Sequence, residues 1–259
     1  MRSTPSLVLA LVLAAGCGKG EPTPEPKPTS VVPPTTAPPP SPPPEAPSPP
    51  RSARPSRELM KDHFTAVVVV RDALIVGNFE LAKWNASFLA QKEPDPAVAS
   101  WSMYVDHLRA KAAKVADAPT LEAAAVASTE LALECGRCHA ANAVTPVFPT
   151  LDRRVAASGT RPHMLRHQWA AEQMWNGLIG PSEEQWNDGV GELAEAPLGQ
   201  DELFSNATPT PAIVKVATDV HALGEEGRKA TTWDARAAIY GRMLSSCATC
   251  HSAIPRAGS

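Results

Sequence analysis

Two short stretches of the chain carry concentrated chemistry. ECGRCHA at 134–140 and SCATCHS at 246–252 both contain C-x-x-C-H. At that spacing the two cysteines of each pentad lie about one helical turn apart, and the histidine follows at once. C-x-x-C-H is the attachment pattern of c-type haem. Two sulfurs bond the vinyl groups along one edge of the porphyrin, and the histidine reaches beneath the ring to the iron. A redox C-x-x-C or half of a zinc site shares the cysteine spacing. A zinc ribbon also uses two cysteine pairs, but it does not require a histidine after each. The chain has five cysteines, and the pentads use four of them. The expectation is therefore two c-type haems. Cys135, Cys138, Cys247 and Cys250 make the covalent attachments, and His139 and His251 are the proximal ligands to iron.

Chemistry of this kind needs elements to position it, and the chain repeats around the pentads. MKDHF at 60–64 is matched by MLRHQ at 164–168, and LIVGNFELAKWN at 74–85 by LIGPSEEQWN at 178–187. Two units follow, 56–142 and 159–255. Met60, His63, Val67, Val70 and Leu74 share one helical face. Met164, His167, Ala171, Met174 and Leu178 repeat the same spacing, the rhythm of an inward seam. Gly77 and Gly180 end these helices, and Ser182 with Gln185 reads as a capping box for the next. Asp95-Pro96 and Thr210-Pro211 read as an N-cap and first-turn proline for a third helix. Alanine-rich segments, 120–135 and 233–248, lead into the pentads. β-branched alternation is scarce, so the fold class is all-α.

Four helices per unit with the pentad on the last resembles the cytochrome c′ and cytochrome b562 class of four-helix-bundle haem proteins. The resemblance implies two tandem four-helix bundles, each with its haem on the final helix. A globular cytochrome c fold puts C-x-x-C-H near its start and takes a methionine ligand far downstream. Only eight residues follow His251, which excludes that fold for the second haem.

In an up-down-up-down bundle the first helix starts where the fourth finishes. His63 and His167 are then the expected distal ligands to the two irons. Met60 and Met164 are the alternative, and an open sixth position, as in many cytochromes c′, is a third. Cytochrome b562-type proteins use a methionine on the first helix, and cytochrome c′ usually has an apolar residue there, so histidine departs from both. His107 and His221 also recur. Each is placed about ten residues into the third helix, about 15 Å from its start, too far to ligate. His163 has no counterpart in the first unit, where Leu59 stands, and reads as a surface residue. Trp84 and Trp186 match in register and read as bundle core, as do the unmatched Trp101, Trp169, Trp175 and Trp233.

The N-terminus sets the compartment. Arg2 precedes an apolar run, Leu7 to Ala15, far shorter than the ~20 residues that span a bilayer. It reads as a secretory signal over 1–16. Ending at Ala14-Ala15-Gly16-Cys17, it resembles a bacterial lipoprotein signal with Cys17 lipidated. Residues 17–55 then form a lipidated cysteine and a Pro-rich linker with almost no core-forming residues, a stiff spacer of disordered type. The expected location is outside the cytoplasm, periplasmic or anchored to the outer membrane, with the lipid membrane and redox proteins as partners. The net charge is −3, with no basic cluster, and nucleic-acid binding has no support. The leading expectation is a non-enzymatic electron carrier. Gas binding (CO or NO) is the alternative, and a di-haem peroxidase ranks behind it, because no carboxylate recurs on the inward face beside His63 or His167.

Overall fold

Helix formation here follows capping and alanine content. The structure, a computed structural model, describes residues 57–93, 99, 101–149, 159–195, 197–204 and 208–253. The signal, Cys17, the Pro-rich linker and Asp95-Pro96 lie outside the described residues. Among the described residues every regular element is a helix. They are α1 (Arg57–Ile75), α2 (Phe79–Gln91), α3 (Ser102–Ala116), α4 (Leu121–Ala141), α5 (Thr160–Ile179), α6 (Glu183–Leu193), the short α7 (Gln200–Leu203), α8 (Pro211–Gly227) and α9 (Trp233–Ala253). None of these helices is long and apolar enough to cross a membrane.

The boundaries have local causes. Asn78, Thr120, Ser182 and Thr210 each accept a bond from the backbone N–H three residues on, satisfying an orphan donor of the first turn. Thr232 does the same for Ala235 at the start of α9. Thr210 is followed by Pro211 at the first helical position, as its spacing predicts. Gly77, with φ of 73°, turns the chain after α1 in a conformation that costs a glycine little. Gly180 caps the end of α5.

Packing follows the repeat. α1 lies on α2, α2 on α3, α3 on α4, and α4 returns to α1. In the later half α5 lies on α6, α6 on α8, α8 on α9, and α9 returns to α5. The halves are joined as well: α4 runs along α9 and α5, and α1 along α9. One apolar core includes Val67 and Leu131 from the first half with Trp175, Tyr240 and Leu244 from the second. All the described residues belong to one compact unit.

Small residues set the closest approaches between halves. A Cβ on Gly241 would stand 3.3 Å from Val126 Cα and 3.2 Å from Thr129 Oγ1. Thr129 and Gly241 each precede the first pentad cysteine by six residues. α4 and α9 therefore cross at matching points of the repeat, as a two-fold pseudo-axis requires. Gly136, inside the first pentad, is tighter still: its Cβ would lie 2.2 Å from the Leu178 carbonyl oxygen of α5.

The described helices correct one reading of the core. Trp84 is 69 % exposed. α2 buries Ala82, Asn85, Ala86 and Leu89, and residue 84 falls on the opposite side of that stripe. Trp186 is fully buried, and its indole donates to the Gly227 carbonyl at 3.1 Å. The two tryptophans stand at different distances from their helix caps, so matching sequence register did not make them equivalent.

Gly136→Ala is expected to lower stability by about 1–3 kcal/mol, because backbone rather than a mobile side chain meets the new methyl. Urea unfolding monitored by circular dichroism measures this. An unchanged midpoint would show that α4 and α5 separate freely.

Candidate functional site

Each pentad lies in the last two turns of a long helix. α4 and α9 are both 21 residues long. Each starts after a threonine whose hydroxyl caps it, Thr120 or Thr232. Cys135 and Cys247 each follow that threonine by fifteen residues. The two motifs are thus presented at identical positions on equivalent helices.

The histidines that end the pentads are held across the halves. His139 Nδ1 lies 2.8 Å from the carbonyl of Ile179, the last residue of α5. His251 Nδ1 lies 2.6 Å from the carbonyl of Ile75, the last residue of α1. A carbonyl only accepts, so Nδ1 carries the proton in both and Nε2 keeps its lone pair. Both acceptors sit at helix C-termini, where carbonyls lack intrahelical partners and the helix dipole is negative. A hydrogen bond of this kind fixes the ring of a metal-ligating histidine and raises its basicity.

All four pentad cysteines are free thiols. Burial pushes the Cys135 and Cys247 thiols up to about 12, and raises those of Cys138 and Cys250. A redox C-x-x-C works through a lowered thiol pKa, so these environments do not suit that chemistry. Among the described residues the cysteines join no cluster of three or more metal-ligating groups.

The first pentad opens onto a cavity of about 1100 Å³. Cys135, Cys138 and His139 line it from α4, and Met60, His63 and Val67 line it from the start of α1. Trp101, Leu108 and Phe148 supply apolar wall. His63 and Met60 thus line the same cavity as the first pentad. Burial, helped by Lys92, holds His63 below its ordinary pKa, favouring the neutral form that can ligate. His107 is not among the residues lining this cavity. Its side chain is 58 % exposed, with Nδ1 3.8 Å from Glu134 Oε2. α3 begins at Ser102, so His107 lies closer to its helix start than the sequence spacing suggested.

The second half is different. His163, expected at the surface, is only 2 % exposed. Its ring centroid lies 4.2 Å from that of His167 and 5.2 Å from that of His221. His167 and His221 are 4.9 Å apart by the same measure. A histidine four residues before His167 shares its helix face, and that spacing is the signal that could have placed His163 inside. His221 is buried, with Nδ1 3.0 Å from the Leu193 carbonyl. His221 and His107, which recur in sequence, therefore occupy unlike environments. Burial first, then the neighbouring imidazoles and Arg166, depress His167 to about 3. His251 adds a smaller push in the same direction.

Buried cations complete the frame. Arg236 is 5 % exposed and bonds both carboxylate oxygens of Glu183 at 2.6 Å, with its guanidinium over Trp233. Arg71 of α1 pairs with Asp72 and approaches Glu172 of α5 at 4.0 Å. The sequence patterns did not single out either arginine, because pairing across helices leaves no local signature.

Comparison of the chain with protein-family models, with curated proteins and with solved structures finds no match.

Two outcomes follow. Segments 57–149 and 159–253, produced as separate chains, should each unfold less cooperatively than the intact protein, and mixing them should restore one cooperative transition in a 1:1 complex. Calorimetry of each segment and of the mixture reads this; full stability of either segment alone contradicts the reciprocal hold. The second outcome concerns pH. An unfolded histidine gains its proton near 6.5, whereas His163 in the fold is depressed to about 4 by burial, His221 and Arg166. Its contribution to stability is complete above about 6.5 and is lost as pH falls toward about 4, because the unfolded chain binds the extra proton. His163→Leu should flatten the stability profile over that interval in denaturant titrations.

Proposed function

We propose that the chain is a di-haem c-type cytochrome that carries electrons outside the cytoplasm. In this reading it is two tandem four-helix bundles, each with a haem bonded to its last helix. The observation that carries the reading is the doubled arrangement of C-x-x-C-H pentads, each with Nδ1 of its histidine committed to a helix-end carbonyl and Nε2 left as the ligand atom. The thiols are free, as thioether formation with vinyl groups requires. The roomy cavity beside the first pentad, with apolar walls and His63 opposite, fits a flat macrocycle. At the second site, His167 Nε2 is buried without a hydrogen-bond partner, as suits an atom reserved for a metal.

Cys135, Cys138 and His139 would hold one group, and Cys247, Cys250 and His251 the other. When bound, haem supplies a one-electron couple whose potential depends on axial ligands, hydrogen bonding and burial. The chain's own part is to hold and shield. His63 and His167 are the proposed distal ligands, with Met60 and Met164 as the alternatives on the same helices. Ligation by these residues would exclude small ligands, and the helices that carry them would hold them in place. Ile75 and Ile179 set the proximal rings, so each half tunes the site of the other. The N-terminal signal, Cys17 and the Pro-rich linker would tether the unit to a membrane facing redox partner proteins.

A second reading, CO or NO binding, is favoured by the size of the first cavity and by the difference between the two halves. An iron left open in one half and closed in the other would bind gas at the open half.

Haem content should be two per chain, falling to one in Cys247→Ala/Cys250→Ala. Ferric and ferrous optical spectra, taken with and without CO, should show low-spin haem that CO does not alter. His63→Ala and His167→Ala should each make one haem high-spin and CO-reactive. A wild-type chain without covalent haem sinks the proposal. A wild-type chain with haem that binds CO moves the reading to gas binding.

A further inference from the structure

The second half holds two imidazoles that its pentad does not need. His163 and His221 are 2 % and 7 % exposed, and they close on His167. The ligand nitrogens of all three lie within 4.8 Å of one another. In the first half Leu59 stands in place of His163, and His107 is exposed, so the cluster belongs to one half only. Core histidines are ordinarily hydrogen-bonded, but His167 Nε2 is buried with no partner. An orphaned buried nitrogen on a ring packed against two other imidazoles calls for a ligand.

We propose that His163, His167 and His221 form a divalent transition-metal site that competes with the second iron for His167.

The chemistry favours a borderline cation such as zinc. Three neutral imidazoles are a frequent zinc donor set, and a fourth position is left for water or another ligand. A zinc–nitrogen bond of ~2.0–2.1 Å places tetrahedral ligand nitrogens about 3.4 Å apart. The cluster's ligand atoms, within 4.8 Å of one another, would have to draw together to reach that spacing around a cation. The Leu193 carbonyl accepts from His221 Nδ1 and so leaves the lone pair on Nε2, the usual outer support of a metal-bound histidine. Arg166 donates to His163 Nδ1 at 3.4 Å, so a cation bound by His163 must displace that bond, and the arginine's charge opposes a cation. Glu192 and Glu195 each stand 3.5 Å from Arg166 and more than offset that charge. One imidazole nitrogen has one lone pair, so His167 Nε2 serves the cation or the iron but not both. The competition rests on the di-haem reading; the three-imidazole site does not.

The test uses the full chain, stripped of metal by chelator, and zinc alone as probe. Isothermal titration gives affinity, and elemental analysis gives zinc per chain. Cys247→Ala/Cys250→Ala, which frees His167, should bind one zinc at least tenfold more tightly than the wild type. Adding His163→Leu, which copies the first half, should weaken that binding at least tenfold. His221→Gln, which can still donate to the Leu193 carbonyl, should do the same. His107→Ala should leave it unchanged. The proposal falls if the cysteine variant binds no zinc, if His163→Leu and His221→Gln leave binding intact, or if wild type and cysteine variant bind equally while differing by one haem. Haem content measured on the same samples separates failure of the metal site from failure of the di-haem reading.

Discussion

A helix must end somewhere, and its last carbonyls then lack partners. That constraint organises this protein. α1 and α5 end at Ile75 and Ile179, and each terminal carbonyl is met by an imidazole from the other half. One contact closes an unsatisfied helix end and sets the tautomer and direction of a pentad histidine. Each half lacks, by itself, the acceptor that orients its own histidine. The halves are consequently parts of one site pair and not beads on a string.

That exchange demands close backbones, and close backbones demand small residues. Gly241 lets α9 cross α4 at their equivalent points, and Gly136 brings the first pentad against the end of α5. The apolar core then runs through the junction without a break. The buried arginines act at the same level. Arg236 ties the start of α9 to the start of α6, and Arg71 reaches from α1 toward α5. Each is paired with a carboxylate, as a buried charge must be.

Around this symmetric frame the two halves diverge. The first leaves a large cavity beside its pentad, with His63 half-buried at its edge. The second draws three imidazoles together and buries two of them. Helix geometry explains part of the divergence. α8 starts at Pro211 and places His221 toward the interior, whereas α3 starts at Ser102 and leaves His107 facing water. A duplicated scaffold thus presents different surroundings to chemically identical pentads.

Much of the architecture was legible in the chain because its cues are local. Apolar residues at helical spacing, threonine and serine caps, Pro211 and Gly77 mark helices and their ends without reference to anything distant. The pentads are recognisable as a pattern because two cysteines and a histidine fall within one turn and a half. His63 and His167 could be placed on an inward seam from periodicity alone. What the sequence could not reveal depends on which helix faces which. The carbonyl partners of His139 and His251 lie 40 and 176 residues away, and a carbonyl carries no side-chain signature. The burial of His163, the exposure of Trp84 and the unlike fates of His107 and His221 have the same origin. Each turns on the rotation of one helix against its neighbours, and only packing of the whole core sets that angle.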